Sequence, residues 1–282
     1  MQHIGHGIAE ILERARKMSQ LAATSAPSQD LSERFECPQC RDVGYILDGL
    51  VALECSCLAQ KRLYKLMKNA MIPEEFQDAE FSTYRVTNEI QRLMYESARE
   101  YVERFDDIRR QEQNSLGFIA KFGERRLREI RDPVKRGQAK RQHNNFGLGK
   151  THLQIAIAKE LIRRGVRVLV VSDVTLMGDL SAASQYDDEG EELNRLLWGA
   201  INADVLIWDD IGKAKTTDFR LDMYYRIINE RYKARRPIVF SSNEDAETLA
   251  ERIGDAAASR LFGMSRGRVI AVEGPDYRVM GA

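Results

Sequence analysis

One segment carries the residue types that bind a phosphate chain: Asn145, Phe146, Gly147, Leu148, Gly149, Lys150 and Thr151. The glycines let backbone N–H groups turn toward phosphate oxygens, the lysine supplies a positive charge, and the threonine hydroxyl can coordinate Mg²⁺. The full pattern G-x-x-x-x-G-K-[ST] has another glycine five residues before Gly149, where this chain has Asn144. The segment therefore predicts a phosphate-binding loop that opens a helix, with a departure at its first position.

Two carboxylates follow an apolar strand pattern that begins near Asp204 and runs to Trp208. Asp209 and Asp210 come about 60 residues after the loop, with a helix, a strand and a helix predicted between. The first carboxylate of such a pair can hold Mg²⁺ and the second can orient an attacking water. Asn243 ends a later strand, where it either hydrogen-bonds that water or a phosphate, or only caps the strand.

All four cysteines of the chain lie close together, as Cys37, Cys40, Cys55 and Cys57. Two pairs separated by about 15 residues have the spacing of a structural zinc site, in which four thiolates surround the metal. Gly44 and Gly49, with the strand pattern 45–47, predict a hairpin that returns the chain to the second pair. Four free thiols are the alternative.

The composition sets outer limits on the function. Lys plus Arg and Asp plus Glu each number 43, so no bulk charge indicates nucleic-acid binding and any such site must be local. No apolar run approaches the roughly 18–20 residues that a membrane span requires, and the first residues lack a signal-peptide pattern. We therefore expect a cytoplasmic protein that does not bind membranes.

The loop and the acids need a scaffold, and alternating strand and helix patterns supply one. Together they predict a five-stranded, mostly parallel α/β sheet with the nucleotide at the carboxyl ends of its strands, and no large helical lid after the sheet. The predicted strands start near residues 116, 167, 205, 238 and 269, and the helices cover about 88–111, 151–164, 175–184 and 191–200.

The segments before the sheet form a separate predicted module. Residues 7–23 have helical periodicity, 23–29 resemble a linker, and 58–70 predict a basic amphipathic helix. We place a helical and zinc-binding module at 1–72 and the nucleotide-binding domain at 73–282. The aromatic residues between Pro73 and Tyr84 either pack in the core or line an adenine pocket.

A basic stretch, at about 121–143, separates the first strand from the phosphate loop, although a strand normally runs directly into such a loop. It contains nine Lys or Arg and three acidic residues. We interpret it as an insertion, and hypothesise that it is a mobile surface excursion and that nucleotide binding survives both it and Asn144.

Several of these motifs together resemble the replicative helicase loaders of the DnaC/DnaI type, which are AAA+ ATPases of the initiator clade. The resemblance rests on the cysteine pairs and on the segments Pro73–Phe76, Gly147–Leu153, Trp208–Gly212, Phe240–Asn243 and Ser259–Leu261. It covers most of residues 35–278 except 121–143.

The resemblance implies an ATPase that uses ATP, Mg²⁺ and Zn²⁺. Lys150 and Thr151, within a loop that extends to His152, would bind ATP and Mg²⁺. Asp209 would be the Mg²⁺-associated acid and Asp210 the water-orienting one, with Asn243 as sensor. Arg260, with Arg252 as an alternative, would be an arginine finger that reaches a neighbouring subunit.

The implied partners are a replicative DNA helicase, engaged by the zinc region, and single-stranded DNA, contacted through about 174–186, with self-association through the ATPase domain. Two other functions remain open. One is an IstB-type transposase helper, against which the cysteine module argues. The other is a non-hydrolysing adaptor with a degenerate phosphate loop, which Asn144 and the insertion favour.

Overall fold

The computed structural model describes residue 37 and residues 39–48, 51–186 and 188–274. The chain divides into two compact units, Met1–Gln60 and Lys61–Ala282. The helix predicted at 7–23, the linker at 23–29 and the residues after Gly274 lie outside the described residues. The boundary that we place between an N-terminal module at 1–72 and a nucleotide-binding domain at 73–282 stays a prediction. The division into compact units does not test which residues perform which function.

The first unit contains an antiparallel hairpin of strands β1 (Tyr45–Asp48) and β2 (Val51–Glu54), in which Tyr45 lies opposite Glu54. The Cys55 amide donates to the Gly44 carbonyl at 2.8 Å and so extends the pairing by one step. Helix α1 (Ser56–Asn69) begins directly after the hairpin. The predicted hairpin and basic helix are therefore both present.

A five-stranded parallel sheet forms the centre of the second unit. Its strands are β3 (Leu116–Ala120), β4 (Val168–Ser172), β5 (Val205–Asp209), β6 (Ile238–Ser241) and β7 (Val269–Val272), in the spatial order β4-β5-β6-β3-β7. All four pairings are parallel. The predicted fold class is confirmed.

Ten further helices connect and cover these strands within the described residues. They are α2 (Glu89–Glu103), α3 (Phe105–Ile108), α4 (Glu124–Glu129), α5 (Pro133–Gln142), α6 (Lys150–Arg163), α7 (Asp173–Ala183), α8 (Glu191–Asn202), α9 (Asp218–Lys233), α10 (Ala246–Ile253) and α11 (Asp255–Met264). None of the helices in the described part of the chain has both the length and the apolar character that crossing a bilayer requires.

The helix predicted at 88–111 is interrupted at Arg104 (φ −98°, ψ 14°), between α2 and α3. The short α3 then buries Phe105 and Ile108, which are 2% and 1% exposed. Helical periodicity alone did not reveal this break, because the apolar spacing continues through it.

Apolar side chains cover both faces of the sheet, as a parallel sheet between two helical layers requires. Phe118 belongs to the cluster that includes Leu153 of α6, whereas its neighbour Ile119 belongs to the cluster with Trp208 and Leu261. This alternation follows from the period of two in a strand. The two layers hold the carboxyl ends of the strands in place beside the phosphate loop.

The basic stretch at 121–143 forms α4 and α5 and is not a featureless excursion. Leu127 of α4 is 2% exposed. Arg125 pairs with Glu251 at 2.7 Å and Arg126 with Asp245 at 3.0 Å, which ties α4 to α10 and its N-cap. By contrast, α5 buries none of its described side chains. The first half of the insertion is thus packed on the sheet domain, contrary to the expectation of a loose excursion.

Arg231 is a fully buried charge on α9. Its guanidinium donates to the carbonyl groups of Ala200, Ala203 and Pro237 at 2.8, 3.0 and 2.6 Å. The carbonyls at the carboxyl end of a helix lack intrahelical partners and carry partial negative charge, so they suit a buried cation. Arg231 thereby ties the end of α8 to the start of β6.

We expect Arg231→Ala to lower the free energy of unfolding by about 3 kcal/mol or more, because several buried carbonyls lose their donors at once. Urea denaturation followed by circular dichroism measures the change. Arg226→Ala, an exposed position on the same helix, is the control and should stay within about 0.5 kcal/mol of wild type. Equal effects of the two substitutions would contradict this role.

Candidate nucleotide-binding site and cysteine cluster

The phosphate loop turns on two glycines in the left-handed region, Gly147 (φ 64°) and Gly149 (φ 84°). A Cβ on Gly149 would also lie 2.5 Å from a ring carbon of Tyr84, so both the backbone and the packing require glycine. Gly149 is the N-cap of α6, whose first amide groups have no intrahelical partners. This helix start has the geometry that binds phosphates.

Lys150 is the buried cation of the loop. It is 7% exposed, and its Nζ donates to the Asn145 carbonyl at 2.9 Å and to Asn243 Oδ1 at 2.6 Å. Asn145 is itself buried, and its amide nitrogen donates to the carbonyls of Phe122 and Asn243 at 3.3 Å. The loop is therefore joined to the residues that follow β3 and β6.

Asp209, at the end of β5, accepts hydrogen bonds from two hydroxyl groups. Thr151 Oγ1 lies 3.0 and 3.1 Å from the two carboxylate oxygens, and Ser241 Oγ lies 2.7 Å from Oδ1. A hydroxyl beside a carboxylate is an oxygen donor set of the kind that Mg²⁺ prefers. The two predicted magnesium ligands, Thr151 and Asp209, are therefore in direct contact.

Asp210 adopts a positive φ of 53°, an uncommon backbone conformation for this residue type. Its amide donates to Ser241 Oγ at 3.0 Å, and its Oδ1 accepts from the Asn243 side chain at 2.8 Å. Burial raises the pKa of the Asp210 carboxyl above its ordinary value and the charge of Asp209 adds to the rise, although Lys150 opposes it. Such a carboxyl is suited to accept a proton from water.

These groups surround one cavity of about 490 Å³. Its lining comprises Phe76, Phe146, Gly147, Leu148, Gly149, Lys150, Thr151, His152, Asp210, Lys213 and Asn243. Asn145 and Asp209 lie behind this lining, where they orient Lys150 and Thr151. The sequence patterns predict no role for Ser241 or Lys213. Their positions were the available signal: Ser241 lies within the segment Phe240–Asn243, and Lys213 follows Asp210 by three residues.

Asn144 is the departure from the loop pattern. Its backbone φ is not positive, so this position does not require the left-handed conformation that favours glycine. Its side-chain amide donates to the carbonyl of Phe146 at 2.9 Å and to that of Gly274 at 2.7 Å. The Gly274 amide in turn donates to the Asn144 carbonyl at 2.8 Å. The side chain thus braces the loop against the residues after β7.

The aromatic residues between Pro73 and Tyr84 divide between the core and the cavity, and an adenine pocket among them stays a prediction. Phe81 is 8% exposed in the core, whereas Phe76 lines the cavity. The Tyr84 hydroxyl donates to the Leu148 carbonyl at 2.9 Å, and its ring stacks on Tyr95 with the centroids 5.9 Å apart. Tyr84 therefore supports the loop from outside, a function that its position in the sequence did not indicate.

The two arginine-finger candidates differ in their contacts. The guanidinium of Arg252 donates to the carbonyls of Gly212 and Ala214 at 2.8 and 3.0 Å, so it is used within the domain. Arg260 lies over the Tyr225 ring, 5.0 Å from its centroid, and donates from Nη1 to the Ala256 carbonyl at 2.8 Å, while its Nε has no partner among the described residues. Neither belongs to the described lining of the cavity.

The four cysteines form a compact, buried cluster in the first unit, with all sulfurs within 4.8 Å of one another. Cys37 and Cys55 have sulfurs 3.8 Å apart, and Cys40 and Cys57 have sulfurs 3.3 Å apart. Four thiolates around Zn²⁺ at about 2.3 Å have mutual distances of about 3.8 Å. The Gly44 amide points at the Cys40 sulfur at 3.3 Å, as outer contacts to a metal-bound thiolate do. The cluster is compatible with zinc binding.

Comparison with known proteins agrees with this geometry. Residues 143–279 match the family of IstB-like ATP binding proteins. The phage-like element PBSX protein XkdC of Bacillus subtilis is 27% identical over 96% of this chain and 95% of its own length. The replicative helicase loader DnaC of Escherichia coli is 25% identical over 90% of this chain and 89% of its own.

This chain is similar to the DnaC/DnaI-type AAA+ helicase loaders. The predicted resemblance is therefore confirmed. Crystal structures of the DnaC helicase loader and of DnaI share the fold, with TM-scores of 0.53 and 0.50 and identities of 21% and 23%. They align with 71% and 73% of this chain and with 100% and 94% of their own.

We expect Asn144→Gly, which restores the loop pattern, to lower the free energy of unfolding by about 1–2 kcal/mol. The substitution removes the hydrogen bonds to Phe146 and Gly274 and adds conformational freedom to the unfolded chain. Chemical denaturation measures the change. Asn144→Ala, which loses the same bonds without the added freedom, should destabilise less, and an Asn144→Gly variant as stable as wild type would show that the brace is dispensable.

Proposed function

We propose that this protein is an ATP-dependent loader that places a replicative DNA helicase on single-stranded DNA. The observation that carries the proposal is the continuous set of hydrogen bonds around one cavity, from Thr151 and Asp209 through Asp210 and Asn243 to Lys150. The similarity to the helicase loader DnaC extends over 90% of this chain. The activity belongs in the cytoplasm, where the replicative helicase works.

ATP would lie with its phosphates on the amide groups of the loop and on Lys150. Mg²⁺, when bound, supplies positive charge at the phosphates, and Thr151 and Asp209 would hold it. Asp210 would orient the attacking water and take up its proton, with Asn243 fixing the carboxylate and sensing the terminal phosphate. These are the roles that the loop, the acid pair and the sensor have in phosphoryl transfer.

Hydrolysis would require self-association, because an arginine from a neighbouring copy must stabilise the negative charge of the γ-phosphate in the transition state. Arg260 is the better candidate, because Arg252 is held by carbonyls of the distant segment 212–214, whereas Arg260 donates to the Ala256 carbonyl one turn earlier on its own helix. An arginine finger raises the rate by about 10³–10⁵. Isolated subunits should therefore hydrolyse ATP slowly.

Single-stranded DNA would contact the segment 174–186 at the edge of the sheet. Val174 and Tyr186 in this segment are 56% and 58% exposed, and Trp198 on α8 is 66% exposed. Exposed aromatic rings can stack on bases without sequence preference. This surface suits a loader, which must bind any sequence.

The cysteine cluster would bind one structural Zn²⁺ and stabilise the helicase-engaging module. A two-stranded hairpin with exposed side chains on β2 has little core of its own. Metal binding would therefore supply much of its folding free energy, on the order of 10 kcal/mol. The IstB-type helper is the weaker alternative, because that family match begins at residue 143 and leaves out the cysteines.

We expect Lys150→Ala to abolish saturable ATP binding and helicase loading, because the phosphates lose their buried cation. Equilibrium binding of labelled ATP measures the first effect. Helicase-dependent unwinding of a DNA duplex that adjoins a protein-coated single-stranded region measures the second. Lys233→Ala, an exposed lysine on α9, is the control. Loading by Lys150→Ala at the wild-type level would favour the non-hydrolysing adaptor instead.

We expect the full-length protein to contain about one Zn²⁺ per chain, as a four-thiolate site holds, and Cys40→Ser or Cys57→Ser to lose it. Atomic emission gives the metal content, and thiol titration before and after chelation shows whether the sulfurs are protected. Gln39→Ser, a neighbouring position that is not a ligand, should retain the metal. Metal-free protein with four freely reacting thiols would refute the zinc assignment.

A further inference from the structure

Lys213 is a second cation at the nucleotide cavity, in addition to Lys150. It lines the cavity beside Asp210 and Asn243, and its Nζ lies 5.8 Å from the centroid of the Phe146 ring. Phe146 belongs to the phosphate loop itself. The ammonium group is therefore beside the surface on which the phosphates would lie.

The backbone of Lys213 is held firmly, so only its side chain can adjust. Its amide donates to the Asp210 carbonyl at 3.0 Å, and its carbonyl accepts from Arg252 at 3.2 Å. The preceding Gly212 has φ 82°, and a Cβ there would lie 2.8 Å from a methyl carbon of Leu249. These contacts fix the point from which the lysine side chain reaches into the cavity.

The inserted segment supplies the carboxylate that this lysine contacts. Glu124 is the first residue of α4, and its Oε2 lies 3.1 Å from Lys213 Nζ. The Glu124 side chain is only 15% exposed, and its amide donates to the Asn243 carbonyl at 2.9 Å. Glu124 is thereby attached to the residue that also holds Lys150.

The charge of Glu124 is maintained despite its burial. Burial opposes ionisation, but the hydrogen bonds from Lys213 and Arg128 outweigh it and hold the pKa of Glu124 below its ordinary value. The carboxylate is therefore ionised at neutral pH and neutralises Lys213. A phosphate that takes Lys213 must displace this carboxylate.

We propose that Lys213 is a further nucleotide-contacting residue, and that Glu124 competes with the phosphates for its ammonium group. The proposal rests on the proposed ATP binding and assigns the insertion a regulatory role at that site. Without nucleotide, Lys213 pairs with Glu124. With nucleotide, Lys213 turns to the phosphates and Glu124 loses one of its two cations, which links occupancy of the cavity to α4.

Four full-length proteins test this competition in a double-mutant cycle: wild type, Lys213→Gln, Glu124→Gln and the double variant. The probe is ATP with Mg²⁺, measured by displacement of a fluorescent nucleotide. We expect Lys213→Gln to weaken binding roughly tenfold, as loss of a partly exposed charge-assisted hydrogen bond does. Glu124→Gln should tighten binding about threefold, and this gain should vanish in the double variant.

Glu129→Gln is the matched control, because Glu129 lies on the same helix and pairs with Arg125 rather than Lys213. It should bind ATP like wild type, and thermal unfolding should show that all variants are folded. If Lys213→Gln binds like wild type, or if Glu124→Gln gains equally without Lys213, the competition is refuted while the proposed function stands. If wild type itself shows no saturable binding, both fail together.

Discussion

The carboxylate of Asp209 is the constraint on which the site depends. It accepts hydrogen bonds from Thr151 of α6 and from Ser241 of β6, so one side chain joins the phosphate loop to two neighbouring strands. Ser241 also receives the amide of the residue after Asp209. In a buried setting such linked hydrogen bonds reinforce one another, and an unpaired member is costly. These hydrogen bonds hold the polar side of the cavity, from Thr151 and Asp209 to Asn243 and Lys150, in one arrangement.

Much of this arrangement could be predicted from the sequence, because it follows from strand ends. Polar residues that end parallel strands meet at one edge of the sheet, so Asp209 and Asn243 had to lie near a loop that follows another strand. The loop glycines could be predicted because a phosphate-binding turn needs backbone angles that favour glycine. The cysteine cluster could be predicted because its spacing is that of a set of metal ligands. The strands were predicted well because each is apolar and flanked by helical patterns.

The rest depended on contacts between residues that are distant in sequence. Asn144 looked like a defect, yet its amide pairs with carbonyls on both sides of the loop, one of them at Gly274. Tyr84 supports the loop through a single hydroxyl. The basic insertion looked loose by composition, but Arg125 and Arg126 in its first helix pair with acids on α10 that no local pattern identifies. Side-chain pairing of this kind is decided by tertiary structure.

The position of β3 has a consequence for how the protein folds. Although β3 is the first strand of the sheet along the chain, it lies between β6 and β7 and pairs with those two alone among the described strands. The backbone N–H and C=O groups along both edges of β3 stay unpaired until β6 and β7 have been synthesised. By contrast, β4 and β5 can pair as soon as both are made. Long-range pairing of this kind slows folding and leaves strand edges open to wrong partners. The nascent chain must therefore keep this interior strand protected while the other four strands of the sheet are still to come.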